Sequence, residues 1–237
     1  MPEVDEIADG VYRIATFVED DDLSLNQFLI LDDEPLLFHT GPRAMFRETL
    51  DGIARVLDPE RLRWVSWSHF EADETGALNE FLEFAPHALP VHTEFGAALN
   101  ADDFAVKPTR TVPDGGAVDL GRHRLRLLAT PHVPHCWDAV MAFETTTATL
   151  FTSDLLAQLG HRPPVTDSDV VEPALSLMRA FPDVIPIGGH TFAALDRLVA
   201  LEPATLAIHH GGACNGHATR ALVDFGTGLR DMAGTPR

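Results

Sequence analysis

Eight short apolar runs punctuate this chain: Val11 to Val18, Gln27 to Leu31, Leu36 to His39, Leu62 to Trp67, Leu125 to Ala129, Val140 to Phe143, Thr149 to Thr152 and Thr205 to Ile208. Runs of this length read as strands. Helical patterns lie between some of them. Met45, Phe46, Leu50, Ile53, Ala54 and Leu57 recur at helical spacing, and Thr75 is placed to cap a helix through Leu78, Phe81 and Leu82. Ala174 to Phe181, Phe192 to Leu201 and Ala218 to Leu229 read as further helices. The first third is rich in strands, and later strands come in hairpin-like pairs with helices interposed. That order points to an α/β chain with strands stacked in two sheets and helices outside. Pro113 to Gly116 and Arg162 to Pro164 read as loops, not linkers, so one domain over residues 1–237 is expected.

Charge narrows the function classes. The 237 residues carry a formal net charge of −19 with a single lysine, Lys107. A negative field of that size disfavours nucleic acid and anionic membrane surfaces as partners. The opening residues Met1 to Glu6 have no basic patch and no apolar run, and no stretch reaches the roughly 20 apolar residues that span a bilayer. Cys136 and Cys214 make no disulfide framework. A cytoplasmic protein is the expectation.

Four apolar runs end in residues that bind metals. His69, Glu71, Asp73 and Glu74 follow Trp64 to Trp67. His132, His135 and Asp138 come after Leu125 to Leu128, Asp154 after Leu150 to Thr152, and His209 with His210 after Leu206 to Ile208. A strand end holds a ligand rigidly, while the loop beyond lets several converge. Imidazole suits iron, zinc and copper; carboxylate favours harder ions; no CxxC pair offers a thiolate zinc site. His69, Glu71, His135 and Asp154 would serve one ion. Asp73, Asp154 and His210 would serve a second, with Asp154 bridging. Any one segment alone has an ordinary explanation: with 36 acidic residues and 12 histidines, acidic turns, capping aspartates and paired histidines are common. The argument rests on all four occurring in order. From the residues alone, His132 and His135 are equivalent candidates.

At this point the chain resembles a family. His69-x-Glu71-x-Asp73-Glu74-Thr75-Gly76 resembles the His-x-Glu-x-Asp-His-Ser-Gly motif of the flavodiiron proteins, oxygen or nitric oxide reductases with a lactamase-like domain. His135-Cys136-Trp137-Asp138 is similar to their His-Trp-Pro-Asp element, Leu150 to Asp154 to the strand bearing their bridging aspartate, and His210-Gly211 to their last ligand. The resemblance implies a metallo-β-lactamase-type αββα sandwich with two mixed sheets. It implies a two-iron site held by His69, Glu71, Asp73, Glu74, His135, Asp154 and His210. The spacing from His135 to Asp138 favours His135 over His132, and leaves His132 and His209 as decoys or supporting groups. Zinc hydrolases of this fold usually carry a histidine where Glu71 stands, so iron is expected, with zinc or manganese as the alternatives.

Three departures stand out. Glu74 replaces a histidine ligand, and His39 occupies a position commonly held by aspartate. The chain also stops at Arg237, where the family continues into a flavodoxin-like domain, so no FMN is expected in this chain. The implied function is binding, with or without reduction, of dioxygen or nitric oxide. Electrons would come from a separate redox protein, or a signalling partner would read the bound state; a homodimer is compatible with either. The competing class is a two-zinc hydrolase of an ester, lactone, thioester or phosphodiester. His161 is expected near the pocket mouth, and Cys136 and Cys214 are read as buried small apolar side chains.

Overall fold

The computed structural model describes residues 1–234. Among these, fourteen strands form two seven-stranded sheets. The first contains β1 (Glu3–Ala8), β2 (Val11–Val18), β3 (Leu23–Ile30), β4 (Leu36–Phe38), β5 (Trp64–Ser66), β6 (Leu89–Thr93) and β7 (Arg110–Val112), in sequence order. The second contains β8 (Ala117–Asp119), β9 (Arg124–Ala129), β10 (Val140–Glu144), β11 (Thr149–Ser153), β12 (Val165–Thr166), β13 (Thr205–Ile208) and β14 (Ala213–Asn215), ordered β12-β14-β13-β11-β10-β9-β8. Both are mixed: β1 to β4 are antiparallel while β4 to β7 are parallel, and β11 pairs with β13 in parallel.

Side-chain alternation builds the layers. Phe28, Ile30, Leu36 and Phe38 of the first sheet face Ala142, Phe151 and Ala207 of the second across a shared core. The intervening Leu29, Leu37 and Val65 point the other way, onto helices Phe46–Ala54 and Leu78–Phe84 through Leu50, Ile53, Leu78 and Phe81. Met141, Phe143, Leu150, Leu206 and Ile208 pack outward against helices Val171–Ala180, Gly189–Val199 and Ala218–Gly234. Strands buried on both faces read as continuous apolar runs, which is why they were legible in the sequence. The result is the expected αββα sandwich.

Two local expectations change. Thr75 does not cap a helix: it closes the short helix Ala72–Thr75, and its hydroxyl donates to the Glu71 carbonyl at 2.6 Å, the back-bonding that competes with capping. The next helix, Leu78–Phe84, begins after Ala77 without a side-chain cap. The run Leu62 to Trp67 pairs only over β5, because Leu62 and Trp67 pack under the helices instead. No helix among the described residues is long and apolar enough to cross a membrane.

The sheets are stitched together at one edge. Asn26 of β3 donates its backbone N–H to the His209 carbonyl at 3.1 Å. Its buried side chain donates to the carbonyls of Ile208 (2.8 Å) and Gly211 (2.7 Å), and accepts from the Arg13 guanidinium at 3.1 Å. Asn26→Ala would take the side-chain donor from two buried carbonyls and the acceptor from the buried Arg13 Nε, whose Nη1 keeps Glu3 and Asp5. The expected loss is about 2–4 kcal/mol of unfolding free energy, read from urea denaturation of the two proteins; a change below about 0.5 kcal/mol would contradict it.

Candidate metal centre

The edge stitched by Asn26 is where the strand ends deliver their polar residues. β5 leads to His69 and the turn carrying Glu71, Asp73 and Glu74; β11 leads to Asp154; β13 leads to His209 and His210. Two strands end in left-handed backbone at non-glycine residues, His39 after β4 (φ 65) and Ser153 at the end of β11 (φ 51). Strain of this kind persists only where surrounding structure imposes it, and it clusters at functional sites.

Four imidazoles present their Nε2 atoms to four carboxylates. His69 Nε2 lies 3.7 Å from Glu71 and Glu74 and 3.6 Å from Asp154 Oδ2. His135 Nε2 lies 3.3 Å from both Glu71 and Asp154 Oδ2. His209 Nε2 lies 3.5 Å from Asp73 and Glu74, and His210 Nε2 3.4 Å from Asp73 and 3.2 Å from Asp154 Oδ1. Asp154 thus turns one oxygen toward His69 and His135 and the other toward His210. Glu74, with no exposed surface, sits between His69 and His209.

These separations exceed the 2.7–2.9 Å or so of a charge-assisted N–H···O bond. They match the edges of a coordination polyhedron: donors about 2.1 Å from a shared centre lie about 3.4 Å apart in a tetrahedron. The Nε2 atoms of His69, His135 and His209, both Glu74 oxygens and Asp154 Oδ1 are buried without a hydrogen-bond partner. Unpaired buried groups of this kind are costly, and cations between them would satisfy all six atoms. The donor set fits a pair of metal ions.

The outer nitrogens are held in place. His209 Nδ1 meets the Asn26 carbonyl at 2.7 Å, His210 Nδ1 the Ser24 carbonyl at 3.0 Å and His135 Nδ1 the Val184 carbonyl at 2.8 Å. A carbonyl only accepts, so each ring carries a proton on Nδ1 and its Nε2 lone pair is available to a cation. His69 Nδ1 meets the Ser68 hydroxyl at 3.0 Å. That hydroxyl also lies 3.0 Å from His39 Nε2 and 2.7 Å from the Ser153 hydroxyl, while His39 Nδ1 lies 2.9 Å from His209 Nδ1. One consistent arrangement has Ser68 accepting from His39 and His69 and donating to Ser153. His39 therefore connects the two halves of the cluster; burial, with the nearby His209 and His69, depresses its pKa and keeps it neutral.

Every residue singled out by the resemblance enters the cluster, including Glu74, whose histidine counterpart is absent. Between His132 and His135, geometry chooses His135; the His132 ring faces His190 instead, at 6.2 Å. His209, set aside as a decoy or supporting group, directs its Nε2 into the cluster. Adjacent residues at a strand end ordinarily face opposite ways, and only the turn at Gly211 (φ 131) with the Asn26 and Ser24 carbonyls brings both rings inward. His161 does not enter the cluster and is bound to Glu3 at 2.8 Å. Cys214 is buried as expected, whereas Cys136 is half-buried with Sγ 3.7 Å from Glu71.

The family model for the ODP family beta lactamase matches residues 23–211, and the chain belongs to that family. Its relatives are diflavin and flavodiiron proteins. Diflavin flavoprotein A 1 of Synechocystis is 27% identical over 148 residues, 61% of this chain and 26% of that protein. The anaerobic nitric oxide reductase flavorubredoxin of Enterobacter is 25% identical over 138 residues, 57% of this chain and 28% of that protein. The solved rubredoxin oxygen:oxidoreductase of Desulfovibrio gigas superposes with a TM-score of 0.83 at 21% identity, covering 98% of this chain and 61% of its own. The chain thus spans about a quarter of these two curated relatives' length.

The electrostatics of the cluster call for cations. Burial, then Asp154, Asp73 and Glu71, push Glu74 well above the usual carboxylate range. Burial opposes charge on His210 and His135, but Asp154 and Asp73 raise His210 to about 10, and Glu71 and Asp154 raise His135 to about 9. Without a cation His135 and His210 hold protons at neutral pH. Cations must displace them, so two divalent ions binding at pH 7 should expel about two protons, and affinity should fall as pH drops. A pH-stat titration of weakly buffered, metal-free protein checks this; release of less than about one proton would contradict it.

Proposed function

We propose that this chain is a non-haem diiron protein that binds and reduces dioxygen or nitric oxide, with electrons delivered by a separate protein. The observation that carries the reading is the eight-residue donor set: four Nε2 lone pairs, each anchored through Nδ1, around four carboxylates with Asp154 directed to both halves. His69, Glu71, His135 and Asp154 would hold one ion; Asp73, His209, His210 and Asp154 would hold the other, with Glu74 between them. Four carboxylates balance two divalent ions and leave a net charge of only about +2 on a trivalent pair, which favours a metal that cycles between those states. Zinc does not. The oxygen and nitric oxide reductases among the relatives support the gas as substrate.

When bound, a ferrous pair supplies two reducing equivalents and a Lewis-acidic face to the gas. The protein's own residues do the rest. The Asn26, Ser24 and Val184 carbonyls orient the imidazoles, and the Ser68–His39 link holds the two halves in register. Glu71 and Asp73 sit at the cavity side, where an incoming molecule reaches the cluster.

Protein purified from iron-replete cells without oxygen should contain close to two irons per chain (about 2). Stoichiometric zinc with only trace iron, even after anaerobic iron reconstitution, would overturn the reading in favour of a hydrolase. Asp154→Ala should lose both ions, since its two oxygens face different halves, whereas Asp73→Ala should spare the ion near His69 and His135. Elemental analysis of both variants checks this. Chemically reduced protein should take up oxygen while showing little steady NADH oxidation alone; rapid unassisted NADH turnover would contradict the need for a separate donor.

A further inference from the structure

Cys136 is not the buried small apolar side chain that its residue type suggests. It is half-buried, and its Sγ lies 3.7 Å from Glu71 Oε1. The loop that carries it is closed by a hydrogen bond from the His132 N–H to the Cys136 carbonyl at 2.8 Å, and Cys136 itself holds left-handed backbone (φ 60). Cys214, by contrast, packs with no exposed surface among the apolar side chains between the second sheet and its helices. In the His-Trp-Pro-Asp element that His135 to Asp138 resembles, a tryptophan follows the histidine, so the resemblance does not account for a sulfur here. That sulfur is one of four donors that converge: Cys136 Sγ, an oxygen of Glu71 and a ring nitrogen each of His69 and His135 all lie within 4.8 Å of one another. Two of the four call for a cation independently of the cysteine. His69 Nε2, on a fully buried ring, and His135 Nε2 are buried without a hydrogen-bond partner. A sulfur about 2.3 Å and an oxygen about 2.1 Å from one ion lie about 3.6 Å apart in a tetrahedron, close to the 3.7 Å between Cys136 and Glu71. As a hydrogen bond the same contact is weak, since a thiol is a poor donor.

We propose that Cys136 is a further ligand of the ion held by His69, Glu71, His135 and Asp154, binding it through a thiolate sulfur. The proposal rests on the reading of the cluster as a metal centre, and it adds a soft donor that none of the other eight residues supplies. While no cation is present, burial, Glu71 and Asp138 keep Cys136 a neutral thiol, pushed up to about 12. A bound cation reverses that balance, because a coordinating thiol is deprotonated. On coordination the S–H bond breaks, its proton goes to water, and a sulfur lone pair forms the S–metal bond; no electron changes hands. This proton is additional to those expelled from His135 and His210. The two ions thereby become unlike. One gains a sulfur and a further negative charge that favours its higher oxidation state, while the other keeps nitrogen and oxygen donors alone.

Cobalt(II) reports the bond directly, because a thiolate bound to it gives an intense near-ultraviolet charge-transfer band that imidazole and carboxylate ligands do not. The full chain, metal-free and without oxygen, is titrated with about two equivalents of cobalt(II). The wild type should develop the band, Cys214→Ser should keep it, and Cys136→Ser should lose it while still binding cobalt. X-ray absorption of the zinc-loaded wild type should show a sulfur neighbour at about 2.3 Å. Its persistence in zinc-loaded Cys214→Ser assigns that sulfur to the remaining cysteine, so the test does not depend on Cys136→Ser folding. If the metal-loaded wild type lacks the band or the sulfur neighbour, or if either signal is lost in Cys214→Ser or survives in Cys136→Ser, the ligand role of Cys136 is overturned and the metal reading stands. If the wild type binds neither cobalt nor zinc, the metal reading itself fails, and this inference with it.

Discussion

Four carboxylates and four imidazoles pressed into one partly dry cluster repel and desolvate one another unless positive charge enters between them. In the absence of ions, the protein holds protons where they would not ordinarily be: Glu74 is driven toward the neutral acid, and His135 and His210 toward imidazolium. Asp154, its two oxygens directed to the two halves, is placed to resolve the conflict, since one anion shared between two cations would relieve repulsion on both sides. The architecture around the cluster keeps these groups together despite their mutual cost.

Main-chain carbonyls are central to that role. Ser24 and Asn26 belong to β3 of the first sheet, whereas the rings they orient, His210 and His209, follow β13 of the second. The centre is therefore assembled only when the sheets are stacked, and the Asn26 side chain ties the same junction from the other direction. Folding and ligand orientation become one event, which suits a metal site whose affinity depends on preorganised nitrogen lone pairs.

This chain differs from the flavodiiron motif at linked positions. Glu74 stands in place of a histidine, His209 brings an imidazole to the same region, and His39 occupies a position commonly held by aspartate. A carboxylate gained at residue 74 is thus accompanied by a nitrogen donor from residue 209, and the anion lost at residue 39 is replaced by a neutral ring kept uncharged by burial. The carboxylate of Glu74 lies within the cluster, where it would act directly on a bound cation.

The layers of the fold were legible because strands buried on both faces must be apolar throughout: Phe28 to Ile30, Leu36 to Phe38 and Leu206 to Ile208 could be read as runs without knowing their partners. Short edge strands such as β7, β8 and β12 carry too few residues to leave a pattern. The motif order likewise marked His69, Glu71, Asp73, Asp154 and His210, because these residues follow strand ends at fixed offsets. Tertiary structure decided what spacing does not encode. It directed Glu74 inward, turned both His209 and His210 toward one cluster, sent His132 toward His190, and opened an apolar cavity over the donors. The physical reason is that a side chain's identity and its position after a strand are local properties. The direction of an imidazole depends on which carbonyl meets its other nitrogen, and for His209 and His210 those carbonyls belong to a strand 183 and 186 residues away in the chain.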